Sequence, residues 1–530
     1  MKPDRVAERR HCSRRAQCPP HRAATPGRHT GPPHRAASPG RLTGPPHRAA
    51  SPSAFSPPRW IGRADWRIQD SAMPVPRDSS SQSGASPALG PAEIAALVEP
   101  DRVHRRAYTD RAVFDLEMAR IFGRAWIFVA HASQIPRPND LIRTRLGLHD
   151  VLATRDGDGR VHVVGNRCTH RGTTLCSVER ASAASLVCPY HAWTFGLDGT
   201  LRSVPHRKSM PDSFDIADPR LALFRAPRVA AYRGVDVARL AAVGAGREAG
   251  VGERREALDN LVDRAPDGEI FQDGGIFRLE YRGNWKLHHE NANDTMHPGF
   301  VHESSVNAAR EDGRDYAEPV FDEHQAHTQL LSNGFSVREW QSLGLQGLAN
   351  GHSYMDGFYS EGVLSPDRDD PLSRDYRAAL EAAKGRAAAD AILGMDRFNN
   401  LIWPNLNINA QYQQIRIVQP VAPDRTVVQA MCFRLGGAPE GMFHRAVRFL
   451  TNLSSPASMI FADDVEIFEK VQAGLADGSR EWLDQSRGLD TPVDAGAGGG
   501  GAGNGRLASP GTSELPIRGQ FRAWLDHMTA

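Results

Sequence analysis

The 530-residue sequence predicts an α+β chain with three parts. An all-β module spans 125–235, a larger α+β domain with an antiparallel sheet and helices spans 236–530, and an N-terminal tail over 1–100 is expected to be disordered. Three observations carry this. Short strand-like runs recur through the module, with Asp158-Gly159 and Asp198-Gly199 between two pairs of them at hairpin spacing. Beyond about residue 265, runs such as Tyr412–Gln419 and Thr426–Phe433 mix with helical periodicity at 373–393, 441–452 and 461–475. In the tail, near-copies of a 13-residue unit begin at Pro19, Pro32 and Pro45, and Pro, Arg, Ser and Gly at that density cannot bury a core.

Charge is unevenly placed. Residues 1–72 hold 14 Lys/Arg against 4 Asp/Glu, while the remainder holds 50 against 58, so the sequence pI near 8.3 belongs to the tail and no nucleic-acid partner is implied. No apolar run reaches the length of a membrane span, and no membrane partner is expected. Six Cys are too few for a disulfide scaffold, which points to a reducing, cytoplasmic compartment with thiols available as metal ligands. Prolines every few residues forbid the amphipathic helix of a transit peptide. Arg9-Arg10 and Arg14-Arg15 lack the apolar stretch of an export signal. The expectation is that translation starts at or near Met73 and that a chain beginning there keeps full function.

The remaining elements follow in order. Within the segment 101–124, Thr109 is a candidate N-cap, and Val113, Phe114, Met118, Ile121 and Phe122 fall at helical spacing, which places a helix at 110–123. Strand character follows at Trp126–Ala130, Asp150–Arg155, Val161–Val164, Ala192–Phe195 and Thr200–Val204. Asp494–Gly505 is nearly all Gly, Ala and Asn and lacks a phosphate-loop pattern, so a flexible loop is expected over 494–512.

Two loops of the β module carry Cys168-Thr-His170 and Cys188-Pro-Tyr-His191. Four such ligands bind a transition metal, and a structural zinc would use the same residue types. Each loop, however, gives one Cys and one His, which also fits two thiolates on one iron and two imidazoles on a second. CTHRG and CPYHAWTFGLDG, with Tyr190, Trp193 and Gly196, resemble the Rieske loops of aromatic ring-hydroxylating oxygenases. Cys176 has no matching His and reads as a small buried side chain, and Cys432 reads as core.

The segment Asn284–His302 gathers a second set. Glu290, Asp294 and His297 are spaced i, i+4, i+7 and are expected on one face of a helix ending at His297. His302 is five residues further, about 140° round an unbroken helix, so the two imidazoles converge only if Pro298-Gly299 breaks it. The pattern resembles the D-x-x-H-x-x-x-x-H element of the same family. A carboxylate would complete the set. In the helix at 461–475, Asp464 shares the stripe of Phe461, Val465, Phe468 and Leu475, whereas Asp463 falls with Glu466 and Lys470 and reads as solvated. The family's third ligand lies in a similar Asp-Asp pair followed by a Gln, here Gln472.

The resemblance covers most of 105–530, including Phe122–Trp126, His131, Ile135-Pro136, Arg416 and Asp424–Thr426. It implies the large (α) subunit of a Rieske non-haem iron oxygenase with a helix-grip-like catalytic domain. Cys168, His170, Cys188 and His191 would hold a [2Fe–2S] cluster, and His297, His302 and Asp464 would hold mononuclear Fe(II) that activates O₂. NAD(P)H would act through a separate flavin reductase or ferredoxin, because the chain has no flavin, nicotinamide or plant-type cluster fingerprint. Asp294 would orient His297 with one oxygen and keep the other free to reach a Rieske histidine of an adjacent copy, corresponding to His191. That implies an α₃ ring, with a small β subunit giving α₃β₃. The candidate substrate pocket is Asn291, Ala292, Met296, Asn407 and Asn409, with Met296 and Ala292 departing from the family's usual residues. An amide-rich strand face at Asn405–Gln411 predicts a small aromatic substrate with a polar group, most simply a carboxylate. The alternatives are a demethylating monooxygenase of the same clan and a Rieske electron-transfer protein without oxygenase chemistry.

Overall fold

A computed structural model describes residues 89–241, 251–311, 330–362, 364–365, 369–491 and 506–530. The tail repeats, the Met73 start and residues 492–505 lie outside these. No described helix is long and apolar enough to cross a membrane.

The described chain begins earlier than composition suggests. Pro91–Ala95 is helical, and Val98–Glu99 pairs with Arg102–His104, which pairs in turn with Trp482–Asp484. Ile94 and Val103 are fully buried and belong to the same core cluster as Phe521 and Trp524 of the C-terminal helix Leu515–Thr529. Disorder up to residue 100 is therefore corrected, because the partners that order this segment lie some hundreds of residues away in sequence. The segment 101–124 is likewise more than one helix: a strand, the turn Arg106–Thr109, the helix Arg111–Glu117 and a π-turn Met118–Phe122. Asp110, not Thr109, is the cap, its carboxylate accepting from the Ala112 amide at 2.8 Å.

Three small antiparallel sheets make the β module. Val161–Gly165, His149–Arg155, Asp140–Leu146 and Arg180–Ser182 form one; Arg228–Tyr232, Val235–Arg239 and Ile127–His131 form the second. The third, Leu201–Ser203, Thr194–Phe195 and Leu186–Val187, closes through Gly199 at φ +81°, a conformation glycine adopts without a Cβ penalty.

The α+β domain is built on an eight-stranded antiparallel sheet. Its order is Ile276–Tyr281, Arg425–Cys432, Gln414–Ala422, Leu406–Asn409, Phe398–Ile402, Ser353–Asp356, Gly344–Gly347 and Leu507–Pro510. The last strand corrects the loop expected over 494–512: its pairing with Gly344–Gly347 comes from the sheet edge rather than from its own Ala/Ser/Pro composition. Alternation splits the sheet into unlike faces. Leu406, Ile408, Ile415, Ile417 and Met431 share one apolar cluster with Ala257, Leu258 and Leu261 of the helix Val251–Val262. The opposite face carries Val418 and Val428 beside Trp285 and Phe468, and Ala430 and Cys432 against Ala446 and Leu450. On that second face lie the helices Trp285–Ala292, Glu440–Ser454 and Phe461–Ala476, which hold the site. The periodicity at 373–393 forms two helices, Pro371–Lys384 and Arg386–Leu393, broken at Gly385 with φ +85°.

Candidate metal centres

The first centre sits at the tip of the β module. Cys168 and Cys188 are each 2% exposed, whereas His170 is exposed and His191 half-buried, so the sulfur side faces the core and the imidazole side faces out. Burial opposes ionisation of Cys188, but the amides of His191 and Tyr190 and the side chains of Cys168 and Thr173 hold its thiol below the ordinary value. The His170 and His191 rings are 4.7 Å apart, and His170 stacks on Trp193 at 4.8 Å and 5°. Nδ1 of His191 is buried without a hydrogen-bond partner among the described residues, as a nitrogen kept for a metal would be. Two adjacent thiols and two facing imidazoles fit a cluster with one all-sulfur and one all-nitrogen end better than a tetrahedral zinc mixing all four. The first loop is braced from behind: Arg143 binds Asp150 through two nitrogens, and Asn166 donates to Asp150 at 3.1 Å. The Asn166 amide also bonds the Cys176 backbone in both directions at 2.8 Å, so the half-buried Cys176 serves the loop through its main chain.

The second centre is assembled from distant segments. The helix Trp285–Ala292 starts at Asn284, whose side chain accepts from the Lys286 amide. Fully buried Glu117 then fastens it, accepting from Trp285 Nε1 at 2.8 Å, Lys286 Nζ at 2.6 Å and Trp524 Nε1 at 2.7 Å. The helix ends at Ala292 and not at His297, a correction to the expected single face. Asn293 leaves helical geometry, and Pro298 starts a fresh turn, Pro298–Val301, with His297 as its N-cap and His302 as its C-cap. Glu290 consequently points elsewhere, accepting from the Tyr108 hydroxyl at 3.0 Å, and burial pushes its carboxyl up to about 8.

His297, His302 and Asp464 meet, with their ligand atoms all within 4.8 Å of one another. Nε2 of His302 lies 3.3 Å, and Nε2 of His297 3.5 Å, from Asp464 Oδ1. Each ring's other nitrogen faces a carboxylate: Asp294 Oδ2 is 3.3 Å from His297 Nδ1, and Asp463 Oδ2 is 3.3 Å from His302 Nδ1. Burial alone would lower His297, but hydrogen bonds and charge from Asp294 and Asp464 raise it to about 9, and Asp464 is held well below its ordinary value. Two imidazoles and one carboxylate, with rings oriented by outer carboxylates, fit a divalent metal with open coordination positions.

Two expectations change here. Asp463 is not merely solvated; it orients His302, a role invisible to a hydrophobic-stripe argument. The outer oxygen of Asp294 is not free, since Arg487 Nη2 donates to it at 2.8 Å. Asn291 lies at the triad, its amide nitrogen 3.0 Å from His297 Nε2 and donating to Asp464 Oδ1 at 3.0 Å. Gln472 sits behind, accepting from the Asn284 amide at 3.0 Å.

A cavity of about 120 Å³ opens on the triad. Of the expected pocket residues, Asn291, Ala292 and Asn409 line it, whereas Met296 and Asn407 do not. Sequence reading missed Met355, Phe358, Phe398 and Phe449 on its apolar side, which come from two strands, a turn and a helix at separate places in the chain. A wider cleft of about 730 Å³ near Gln346, Asp356 and Asp396 holds none of the residues of either centre.

Residues 125–225 match the Rieske [2Fe-2S] domain, and residues 270–530 match the ring hydroxylating alpha subunit catalytic domain. The chain is 34% identical over 413 residues to the toluate 1,2-dioxygenase subunit alpha of Pseudomonas putida, covering 76% of this chain and 86% of that protein. This chain is a ring-hydroxylating oxygenase α subunit. The 2-halobenzoate 1,2-dioxygenase large subunit of Burkholderia cepacia is 32% identical over 390 residues, covering 73% of this chain and 80% of that one. Among solved structures, a naphthalene 1,2-dioxygenase mutant bound to phenanthrene superposes with a TM-score of 0.68 at 25% identity, covering 83% of this chain and 96% of that one. The α subunit thus combines a Rieske [2Fe–2S] domain with a mononuclear-iron catalytic domain, and it is an oxidoreductase.

Proposed function

We propose that this α subunit hydroxylates an aromatic carboxylate with O₂, by cis-dihydroxylation or monohydroxylation. In this reading Cys168, His170, Cys188 and His191 hold the cluster, and His297, His302 and Asp464 hold the iron. The observation that carries it is the convergence of two imidazoles and one buried carboxylate at the mouth of a cavity, in a chain that also bears the paired Cys/His loops. When bound, the cluster supplies single electrons and the mononuclear iron supplies open positions for O₂.

The chain's own residues do the rest. Asp294 and Asp463 fix the ring orientations, so that Nε2 of each histidine faces Asp464. Met355, Phe358, Phe398 and Phe449 give a ring an apolar wall and keep water from the triad. Asp294 is also the bridge for electrons arriving from a neighbouring copy's Rieske histidine, in an α₃ ring with or without small β subunits. Arg487 holds its outer oxygen until that contact forms. A reductase, with or without a ferredoxin, supplies the electrons from NAD(P)H.

A carboxylated substrate is favoured because the toluate and 2-halobenzoate enzymes are named for aromatic acids, and because amide side chains face this cavity. The test is oxygen uptake by purified protein with its reductase, comparing substituted benzoates with naphthalene and biphenyl. Benzoates should drive uptake; faster turnover of either hydrocarbon than of every benzoate would overturn the reading.

A further inference from the structure

One patch of the central sheet breaks the rule that buried polar atoms find partners. Asn407 pairs across the ladder with Arg416, and Asn409 with Gln414, so alternation puts all four side chains on the face that carries the triad helices. Asn407, Asn409 and Gln414 are 1%, 5% and 0% exposed. Among the described residues five of the patch's atoms have no partner: both amide atoms of Asn407, Asn409 Oδ1, Gln414 Nε2 and Arg416 Nε. A buried polar atom left unpaired loses the hydrogen bonds it had in water, so four side chains in one register concentrate a penalty at one spot. Directly beside the patch, the opposite face of the same two strands carries Leu406, Ile408, Ile415 and Ile417, so the polar cluster is confined to one face of this stretch.

Arg416 is the only cation on this patch, and it lines the cavity together with Asn409, Ser454 and Asp464. No carboxylate forms an ion pair with it among the described residues; Asp464 acts on it only through longer-range charge, against a burial penalty. The neighbouring amide is already oriented. Asn409 Nδ2 is spent on Asn399 Oδ1 at 3.2 Å, and the Asn399 amide is in turn fixed on the Ala292 carbonyl at 3.1 Å. A guanidinium on a cavity wall without a carboxylate partner calls for an anion from outside, and a planar carboxylate matches its fork of donors.

We propose that Arg416 is the specificity-determining anchor for the substrate's carboxylate. This rests on the aromatic-acid reading above and names the residue that would enforce it. The ring then lies along the Phe358, Phe398 and Phe449 side of the cavity, with its charged end at the sheet.

The test is calorimetric binding of benzoate and of its neutral isostere benzamide to the resting holoenzyme, followed by kcat/KM for both. Arg416→Gln should weaken benzoate binding by about 30-fold, the scale of a hydrogen bond to a charged group, and leave benzamide within about 3-fold. Arg416→Lys should recover part of the loss. Equal losses for benzoate and benzamide would show that Arg416 only supports the site, and no loss for either would remove it from recognition; both overturn the proposal. Should Arg416→Gln not fold, Asn409→Asp places a negative charge on the same wall. It should depress benzoate binding at least about 10-fold relative to benzamide, and an unchanged ratio would overturn the proposal. The wild-type protein separates the two readings. If it neither binds nor converts any benzoate, the aromatic-acid function fails. If it converts benzoate and the variants keep the benzoate-to-benzamide ratio, that function stands and the anchor falls.

Discussion

The two centres of this chain are built in opposite ways. At the Rieske tip all four candidate ligands fall between Cys168 and His191, on two loops of one small module, and the histidine side is the more exposed. At the triad the candidate ligands come from a turn after one helix and from the first turn of another, with Asp464 lying far along the chain from His302. Both triad histidines are oriented by carboxylates, and both of the most buried ligands, His302 and Asp464, are at most 6% exposed. A site that hands on electrons needs an edge near the surface. A site that handles O₂ beside a ring needs walls, and only tertiary packing supplies walls.

The largest effect that follows is separability. Asp464→Ala should abolish product formation and mononuclear iron, while the oxidised cluster keeps its absorption; simultaneous loss of both metals would break the distinction between a local and an assembled site. Asp294→Asn should come next, nearly stopping product formation with both metals loaded, as iron analysis and single-turnover kinetics would show. A full iron complement with undiminished turnover would remove Asp294 from the electron path. Asp463→Asn should be milder, costing about 10-fold in iron affinity by loosening His302, with no change at the Rieske tip. An iron-binding titration checks it.

The smallest effect is on stability and lies behind the triad. The Glu290 carboxyl is raised to about 8 by burial, against the Tyr108 hydrogen bond and the Lys286 charge, from an ordinary value of 4.5. The folded chain therefore holds a proton there that the unfolded chain releases, and stability falls as pH rises from about 4.5 through 8. Glu290→Gln should flatten that part of the profile and raise the melting temperature most at pH 8 and above. Identical pH profiles for the two proteins would show that Glu290 is not the group responsible.

The same contrast explains what could be read in the sequence. Cys168, His170, Cys188 and His191 were legible because ligands and hairpin signals sit side by side, and Asp464 was legible from its place among apolar residues. The end of the helix was not. Glu290, Asp294 and His297 keep helical spacing in the sequence, but the chain departs at Asn293 and restarts at Pro298, and spacing alone cannot register such a break. Asp463 was hidden because its phase is that of the polar face while its carboxylate reaches round to His302. The order of 91–104 and of Leu507–Pro510 comes from strands and a helix far off in the chain, which composition does not encode. The amide-rich face at Asn407 and Asn409 was visible by alternation, but Arg416 opposite Asn407 needed the register.

In the proposed function, the Rieske cluster of one copy passes single electrons to a neighbouring copy's iron site, which places oxygen on an aromatic acid. A single turnover of the chemically reduced holoenzyme, without reductase, in the presence of benzoate and isotopically labelled O₂ tests it most directly. The expected result is a hydroxylated benzoate product carrying the label, formed as the cluster reoxidises. Cluster reoxidation with no labelled product, in protein shown to contain both metals, would contradict it.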